Sequence, residues 1–280
     1  MAKKKDSWKE ALFLLPSLLG VTVFVLAPFL DVARRSLMDV MGEEFIGIQN
    51  YRAVVTNQAF QLAMGNTFKF LLVCVPLLLG LSLLLAAAAY FGKGRIYQKV
   101  CLLPMAVPVA SLAFVWEILF HPNGLVNRCL GLSIDWLHSP YAFGVLAASF
   151  LWKHMGYFVI LWITGLEGIP KSLYEAASLD GAGAAAKFRY ITLPGLRPMA
   201  SAALVLALTE TLKSYREAYL LAGEYPDKSI YMVQHMFHNW FREMSMEKIA
   251  AGAVVILVVF AAAVYPFRKK GGGNLETLCP

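Results

Sequence analysis

Several ionisable residues lie inside segments of the chain that are otherwise apolar. They are Glu117, Lys153, His154, Glu210, Lys213, Arg216 and Glu217. A charge in such a segment is costly, so it is expected to pair with another charge or to face a polar cavity. The Glu210–Lys213 and Lys213–Glu217 spacings place these side chains on one face of a helix. Internal pairing, the lining of a polar pathway and extension to a lipid interface all remain open there. Lys153 lies too deep in its segment for easy extension, which favours the pathway.

The elements that position these residues are long apolar segments. Hydrophobic residues make up 59% of the 280-residue chain and charged residues 15%, well below the charged fraction of about 25% in soluble proteins. Several apolar segments have about 20 residues, which is enough to cross a bilayer as a helix. We place six of them at 11–32, 66–91, 101–120, 142–165, 198–222 and 247–267. The sequence therefore predicts an all-α, polytopic membrane protein with six transmembrane helices.

Basic residues indicate how the spans are oriented. If the N-terminus is inside, the inside segments hold more than twice as many Lys and Arg residues as the outside segments, which is the distribution found in membrane proteins. We therefore expect a multi-pass protein with both termini in the cytoplasm. The same distribution accounts for the net charge of +7 without a nucleic-acid partner.

The longest inside loop, residues 166–197, has the signals of a helix–turn–helix. Proline suits the start of a helix, so that Pro170 favours a helix over Lys171 to Leu179. Asp180-Gly181 then predicts a stop, because glycine readily takes the left-handed conformation after a helix. A second helix is expected from about Ala182 to Thr192, ended by Leu193-Pro194.

Two interpretations of this loop follow from the residues alone. It is either a plain connector between two spans or a rigid knob that passes motion from a soluble partner to the spans. The small side chains of Ala176 and Ala177 allow close approach by another surface, and Glu175 is placed to meet a basic residue of a partner.

The loop also resembles a known signature. Glu175-Ala176-Ala177, Gly181, Ile191, Leu193 and Pro194 match the pattern EAA---G---------I-LP of the permease subunits of binding-protein-dependent ABC importers. The string FIGIQNY at 45–51 is similar to the F-x-G-x-x-N-Y before the second span of these permeases. The string LLAGEYP at 220–226 resembles the LLTGGGP of the first permease of sugar importers of the maltose/glycerol-phosphate type, with two of its glycines replaced.

The resemblance implies a type I ABC importer permease fold in a bacterial cytoplasmic (inner) membrane. Residues 1–65 would hold the N-terminal span and an outside loop, 66–270 a five-span core with the coupling loop at 166–197, and 271–280 a flexible tail. The first span would wrap the partner permease. The implied partners are a second homologous permease, a dimer of nucleotide-binding ATPase subunits, an extracytoplasmic solute-binding protein and membrane lipid. The implied residues of ATPase coupling are Glu175, Ala176, Ala177, Asp180 and Gly181.

No chemistry is expected in this chain itself. The sequence contains neither the G-x-x-x-x-G-K-[ST] phosphate loop nor a catalytic or metal-ligand grouping, and its four cysteines are scattered. We therefore expect no enzyme, no metal and no cofactor here, with ATP and Mg bound by the partner ATPase.

The resemblance also implies that the spans enclose a substrate pathway, and charged and aromatic residues within the spans are candidates to line it. The candidates are Glu117, Lys153, His154, Tyr157, Glu210, Lys213, Tyr215, Arg216 and Glu217. Arg216 stands where the sugar-type pattern F-D-x-I-Y-L-L-T has aspartate. The resemblance implies that the cargo is a sugar or oligosaccharide. With Lys153 and Lys213, Arg216 gives the pathway a basic character, so that an acidic cargo is a hypothesis. The alternative function is an ion-coupled secondary transporter, with Glu117, Lys153 and Glu210 as a relay.

Overall fold

The structure is a computed structural model that describes residues 7–92, 104–105 and 107–271. Within these ranges it is helical, with one isolated β-bridge between Met38 and Phe45 and no strand. The α-helices that are described in full are α1 (Ser7–Val21), α2 (Ala27–Arg35), α3 (Gln49–Thr56), α4 (Gln58–Phe91), α5 (Val109–Phe120), α6 (Leu125–Leu130), α7 (Ala142–Glu167), α8 (Lys171–Leu179), α9 (Ala184–Lys187), α10 (Leu193–Gly195), α11 (Arg197–Leu212), α12 (Tyr215–Ala222), α13 (Val233–Arg242) and α14 (Met246–Gly271). The prediction of an all-α chain with long apolar helices is confirmed.

Four helical segments of the described residues are long and apolar enough to cross a membrane. They are Leu14–Arg35, Gln58–Phe91, Val109–Leu130 and Ala142–Glu167. A fifth span is formed if Ala184–Gly195 and Arg197–Ala222, which are bent by 68°, count as one. The sixth predicted span coincides with α14. Residues 101–103 and 106, which belong to the predicted third span, lie outside the described part of the chain.

Prolines shape two of these segments through wider, π-helical turns. The turns Thr22–Leu26 and Phe188–Thr192 each end two residues before a proline, Pro28 and Pro194. A proline ring clashes with the carbonyl four residues earlier, and in both places that carbonyl lies within the widened turn, which relieves the clash. The expectation that Leu193-Pro194 ends the second helix of the loop is therefore wrong, because α10 continues to Gly195.

The chain divides into two compact units. The first includes the chain up to Gln61 together with Phe237–Ala262, and the second is chiefly Leu62–Met236. The predicted boundaries at 65/66 and 270/271 stay predictions, and residues 272–280 of the predicted tail lie outside the described residues. In the second unit α5, α7, α11 and α12 pack on one another. Its core contains Phe70, Phe150 and Phe158, all fully buried, and Phe70 meets Phe150 edge to face at 5.4 Å.

In the first unit the FIGIQNY string holds a loop together. The Tyr51 hydroxyl lies 2.6 Å from the Ser36 hydroxyl. The Asn50 side-chain amide donates to the carbonyls of Ser36, at 3.2 Å, and Met38, at 2.7 Å. Gly47 has a φ of +64°, which a residue with a side chain adopts only at a cost. The Asn-Tyr and Gly positions of this string therefore have a local structural role.

Candidate functional site

The predicted fifth span is broken at the charged residues. Helix α11 ends at Leu212 and α12 begins at Tyr215. Across the break, the backbone N–H groups of Lys213, Ser214 and Arg216 each donate to the carbonyl three residues earlier, at 3.1–3.3 Å, instead of four as in an α-helix. The Thr211 and Ser214 hydroxyls donate to the carbonyls of Ala207, at 2.6 Å, and Thr211, at 2.7 Å. Such hydroxyl-to-backbone bonds often bend helices.

A buried ion pair joins the break to helix α7. Lys153 Nζ on α7 donates to Glu217 Oε1 on α12 at 2.7 Å. The two side chains are 15% and 7% exposed, so both charges are largely withdrawn from solvent. Glu217 Oε2 is buried and accepts no hydrogen bond within the described chain. Removing either partner would leave the other as an uncompensated buried charge.

Glu210 is the second acid of the cluster, and it meets two bases. Its Oε1 accepts from Lys213 Nζ at 3.0 Å, and its Oε2 lies 3.7 Å from His154 Nε2. His154 Nδ1 lies 2.9 Å from the Phe150 carbonyl oxygen, so that the ring is oriented by its own helix. Internal pairing is thus found for Glu210 and Lys213. The i,i+4 pair of Lys213 with Glu217, which the spacing allows, is not formed, because the helix break lies between them and Glu217 pairs with Lys153 instead.

The remaining candidate residues are arranged differently. Arg216 is exposed and forms no ion pair in the part of the chain that the structure describes. Tyr215 packs edge to face on His235 at 4.8 Å, and Tyr157 is 38% exposed. Glu117 does not join the cluster's ion pairs. It lines a separate cavity of about 610 Å³ with His121 and Arg128, so that the structure brings together five of the nine candidates: Lys153, His154, Glu210, Lys213 and Glu217.

One residue that supports this site from a neighbouring segment was not among the sequence-based candidates. The Gln234 side-chain amide donates to the Leu212 carbonyl at the break, at 2.6 Å. The two residues are 22 positions apart, and no local spacing or composition predicts that they meet. A glutamine near an aromatic stretch carries no signal of its own.

The coupling loop forms a short helix with a well-defined end. The Ala182 N–H donates to the Ala177 carbonyl at 2.9 Å and the Gly181 N–H to the Ser178 carbonyl at 3.1 Å. Gly181 has a φ of +76°. This is a Schellman motif, so the predicted stop at Asp180-Gly181 is confirmed. Glu175, Ala176, Asp180 and Gly181 are exposed and Ala177 half-buried, and the Leu179 side chain beside them is 90% exposed.

The loop is fastened to the spans on both sides. The Tyr174 hydroxyl lies 3.0 Å from the Thr192 hydroxyl, and its ring meets Phe91, at the end of α4, edge to face at 5.7 Å. At the foot of the loop, a Cβ on Gly165 would lie 2.8 Å from Leu196. A Cβ on Gly195 would lie 2.8 Å from Ile169. At both glycines a neighbouring side chain lies directly against the backbone, so that the foot of the loop is closely packed on the span ends.

A metal centre is not formed by these residues. Within the described ranges no group of three or more His, Cys, Asp or Glu side chains is placed to hold a metal ion. The arrangement is instead a polar, mostly paired cluster at a broken membrane helix and an exposed knob that is rigidly joined to the spans. Broken helices in membrane proteins occur where the backbone lines a cavity or is covered by protein, and the class of protein they indicate is a helical membrane transport component.

Comparison with known families identifies this component. Residues 81–267 match the family described as binding-protein-dependent transport system inner membrane component, and the chain belongs to this family. The match covers both the coupling loop and the charged break. It gives no support to an ion-coupled secondary transporter.

Individual proteins agree with the family. The chain is 30% identical to the sulfoquinovosyl glycerol transport system permease protein SmoG of Agrobacterium fabrum, over 92% of this chain and 88% of the relative. It is 31% identical to the trehalose/maltose transport system permease protein MalF of Thermococcus litoralis, over 85% and 86%. It is 28% identical to the sn-glycerol-3-phosphate transport system permease protein UgpA of Pectobacterium atrosepticum, over 94% of each chain.

Solved structures show the same fold. The chain resembles a subunit in the crystal structure of a bacterial ABC transporter involved in the import of the acidic polysaccharide alginate, with a TM-score of 0.78 and 22% identity over 96% of each chain. A second structure of a bacterial alginate ABC transporter, in complex with alginate pentasaccharide-bound periplasmic protein, matches with a TM-score of 0.77. The predicted type I importer permease fold is thereby confirmed.

Proposed function

We propose that this chain is one of two homologous permease subunits of an ATP-driven importer, and that it passes a sugar or oligosaccharide across a bacterial inner membrane. A solute-binding protein delivers the cargo on the outer side, and a dimer of ATPase subunits docks on the coupling loop in the cytoplasm. Both termini are cytoplasmic in this proposal. The chain itself holds no cofactor, and the ATPase subunits bind ATP and Mg.

The observation that carries the proposal is the exposed, rigid coupling loop. Helix α8 presents Glu175 and Leu179 to solvent, and its end is fixed by the Schellman motif. Tyr174 connects it to Thr192 and Phe91. At its foot, Gly165 and Gly195 pack closely against neighbouring side chains. A displacement of α8 by an ATPase is therefore passed on to α7 and α11 as a rigid-body movement, which alternating access requires.

The charged break supports an acidic cargo. Lys153 is committed to Glu217 and Lys213 to Glu210, so that these four charges cancel in pairs. Arg216 is exposed and has no counter-charge among the described residues, and a guanidinium binds carboxylate, phosphate or sulfonate oxygens in a bidentate manner. Sulfoquinovosyl glycerol and sn-glycerol-3-phosphate, which two relatives are named for, carry such anionic groups. A third relative is named for trehalose and maltose, which are neutral. Since the relatives are named for both kinds of cargo, a variant of Arg216 tests whether an acidic cargo is recognised here.

Co-purification tests the coupling part of the proposal. The tagged chain is expressed with its candidate ATPase and second permease and extracted in a gentle detergent. The unaltered chain is expected to retain the ATPase, and Glu175→Lys to lose most of it. Glu243→Lys, which reverses another exposed acid in the loop before α14, is the matched control and is expected to retain it. A chain that retains no ATPase, or a Glu175→Lys variant that binds it fully, contradicts the proposal.

Uptake by proteoliposomes tests the cargo. Arg216→Leu is expected to slow the uptake of an acidic oligosaccharide about tenfold, the cost of one charge-assisted hydrogen bond, and to change the uptake of a neutral one less. Equal effects on both cargoes would show that Arg216 does not recognise an acidic group.

A further inference from the structure

The Leu212 carbonyl is the acceptor that the break in the fifth span leaves without its helical partner. In a continuous helix it would accept from the Arg216 N–H, but that N–H donates to Lys213 instead. The Gln234 side-chain amide takes the place of this donor, at 2.6 Å. The bond is part-buried, and a buried carbonyl without a donor is costly. Gln234 thus supplies the hydrogen-bond donor that the Leu212 carbonyl loses at the break.

Gln234 belongs to a segment that is fixed at its other end. The segment Lys228–Gln234 leads into and begins α13. The Asn66 side-chain amide, on α4, donates to the carbonyls of Lys228, at 2.6 Å, and Tyr231, at 2.9 Å. The Thr67 hydroxyl accepts from the Val233 N–H at 3.2 Å. The sulfur of Met232, which is 2% exposed, lies 3.8 Å from the Ser214 hydroxyl oxygen at the break.

These contacts form one continuous connection. It runs from α4 through the segment Lys228–Gln234 to Leu212 and Ser214, next to Lys213 and Arg216. The segment belongs to the loop between the fifth and sixth spans, which is predicted to lie on the outer side. The charged break is therefore held from the outer loop, as well as by the Lys153–Glu217 pair inside the bundle.

We propose that Gln234 is a positioning residue, which keeps the break in the fifth span open and connects the charged cluster to the outer loop. Through this connection, the docking of a solute-binding protein on the outer loop reaches Lys213 and Arg216. When the segment Lys228–Gln234 moves, the hydrogen bond from Gln234 to the Leu212 carbonyl changes. The side chains of Lys213 and Arg216, which follow Leu212, are then reoriented. Gln234 touches no cargo itself. The link to docking rests on the proposed function, whereas the positioning role rests only on the geometry of the break.

Gln234→Met is the test variant, because methionine has a similar shape and no donor. Gln61→Met is the matched control, since the Gln61 amide also donates to a backbone carbonyl, that of Val55, at 3.0 Å. Both are compared with the unaltered chain in the complete transporter in lipid nanodiscs. Hydrogen exchange is followed in the peptide 211–218, and ATP hydrolysis is measured with and without the solute-binding protein.

The expected results differ between the two variants. In Gln234→Met the peptide 211–218 exchanges about tenfold faster, because the unsatisfied carbonyl destabilises the break. The ATPase rate with binding protein falls about tenfold, while the basal rate and the melting temperature of the complex stay close to those of the unaltered transporter. Gln61→Met leaves all four quantities unchanged.

Several results would overturn the proposal. Unchanged exchange in Gln234→Met refutes the positioning role. If exchange in Gln234→Met is faster but the binding protein still stimulates ATP hydrolysis fully, the connection to the outer loop is refuted. The connection is also refuted if the basal rate, the stimulated rate and the melting temperature all fall together. If the unaltered transporter shows no stimulation by a binding protein, the proposed function fails, and the exchange measurement still decides the positioning role.

Discussion

The coupling loop and the charged break are both interruptions of helices, but they are held by opposite means. The coupling loop is shaped by neighbours in sequence: Gly181 stops α8, and Tyr174 bonds to Thr192, 18 residues away. The break is held by residues far along the chain, since Lys153 and Glu217 are 64 positions apart. In the proposed function, the loop that receives the movement of the ATPase is held mostly by contacts that are close in sequence, whereas the break next to the pathway is held by contacts between helices that can rearrange.

The largest expected effect comes from breaking the buried pair at the break. Lys153→Met leaves the Glu217 carboxylate buried without a counter-charge, and we expect a loss of about 3–5 kcal/mol of stability. Thermal unfolding of the purified chain measures it. Lys213→Met, whose side chain is 65% exposed, is the control and is expected to cost less than about 1 kcal/mol.

A double variant sharpens this prediction. Lys153→Met with Glu217→Leu removes both charges, and most of the stability is expected to return. If the loss of unfolding free energy in the double variant equals the sum of the losses in the two single variants, the two residues do not act as a pair.

At the foot of the coupling loop, Gly165→Ala is expected to cost about 1–3 kcal/mol, because the new methyl group would overlap Leu196 and Met199. Gly144→Ala, on the same helix α7 and with nothing within 4 Å, serves as control. It is expected to be neutral or to stabilise by about 0.5–1 kcal/mol. Equal melting temperatures for the two variants would show that the foot of the loop is loosely packed.

A smaller effect is expected from Gly181→Ala. Alanine at a φ of +76° costs about 1–2 kcal/mol and loosens the end of α8, so that we expect weaker co-purification of the ATPase with little change in the thermal stability of the spans. Gly183→Ala is the matched control, since Gly183 has a φ of −71° and tolerates a side chain. Loss of the ATPase in both variants would point to a steric effect at the docking surface instead.

The smallest effect is expected from Tyr174→Phe. It removes one hydrogen bond, to Thr192, and keeps the ring contact with Phe91, at a cost of about 1 kcal/mol. Hydrogen exchange in the peptide 171–180 is expected to rise, and Tyr190→Phe, at a residue that is 73% exposed, is expected to leave it unchanged. An unchanged rate in Tyr174→Phe would show that α8 is rigid without this tie.

The same contrast explains what could be predicted from the sequence. The stop at Asp180-Gly181 and the apolar helices at the first, second, fourth and sixth predicted spans depend on local hydropathy and backbone preference, and they lie close to where the sequence predicts them. The continuation of the helix through Pro194 was missed, because the widened turn that accommodates it has no sequence signal. The Lys153–Glu217 pair and the Gln234 bond were missed as well, since no spacing rule connects residues on different helices. Lys153, Lys213 and Arg216 were recognised as basic candidates for the pathway, but only the structure shows that Lys153 and Lys213 already have a counter-charge.

Uptake into proteoliposomes that contain the complete transporter tests the central claim most directly. One set of vesicles holds ATP at the cytoplasmic side, and a second set has an imposed proton or sodium gradient without ATP. A labelled uronic-acid oligosaccharide is offered with and without the solute-binding protein. We predict uptake that requires both ATP and the binding protein and that is lost in Glu175→Lys. Uptake by this chain that is driven by the ion gradient alone, without the ATPase subunits, would contradict the account.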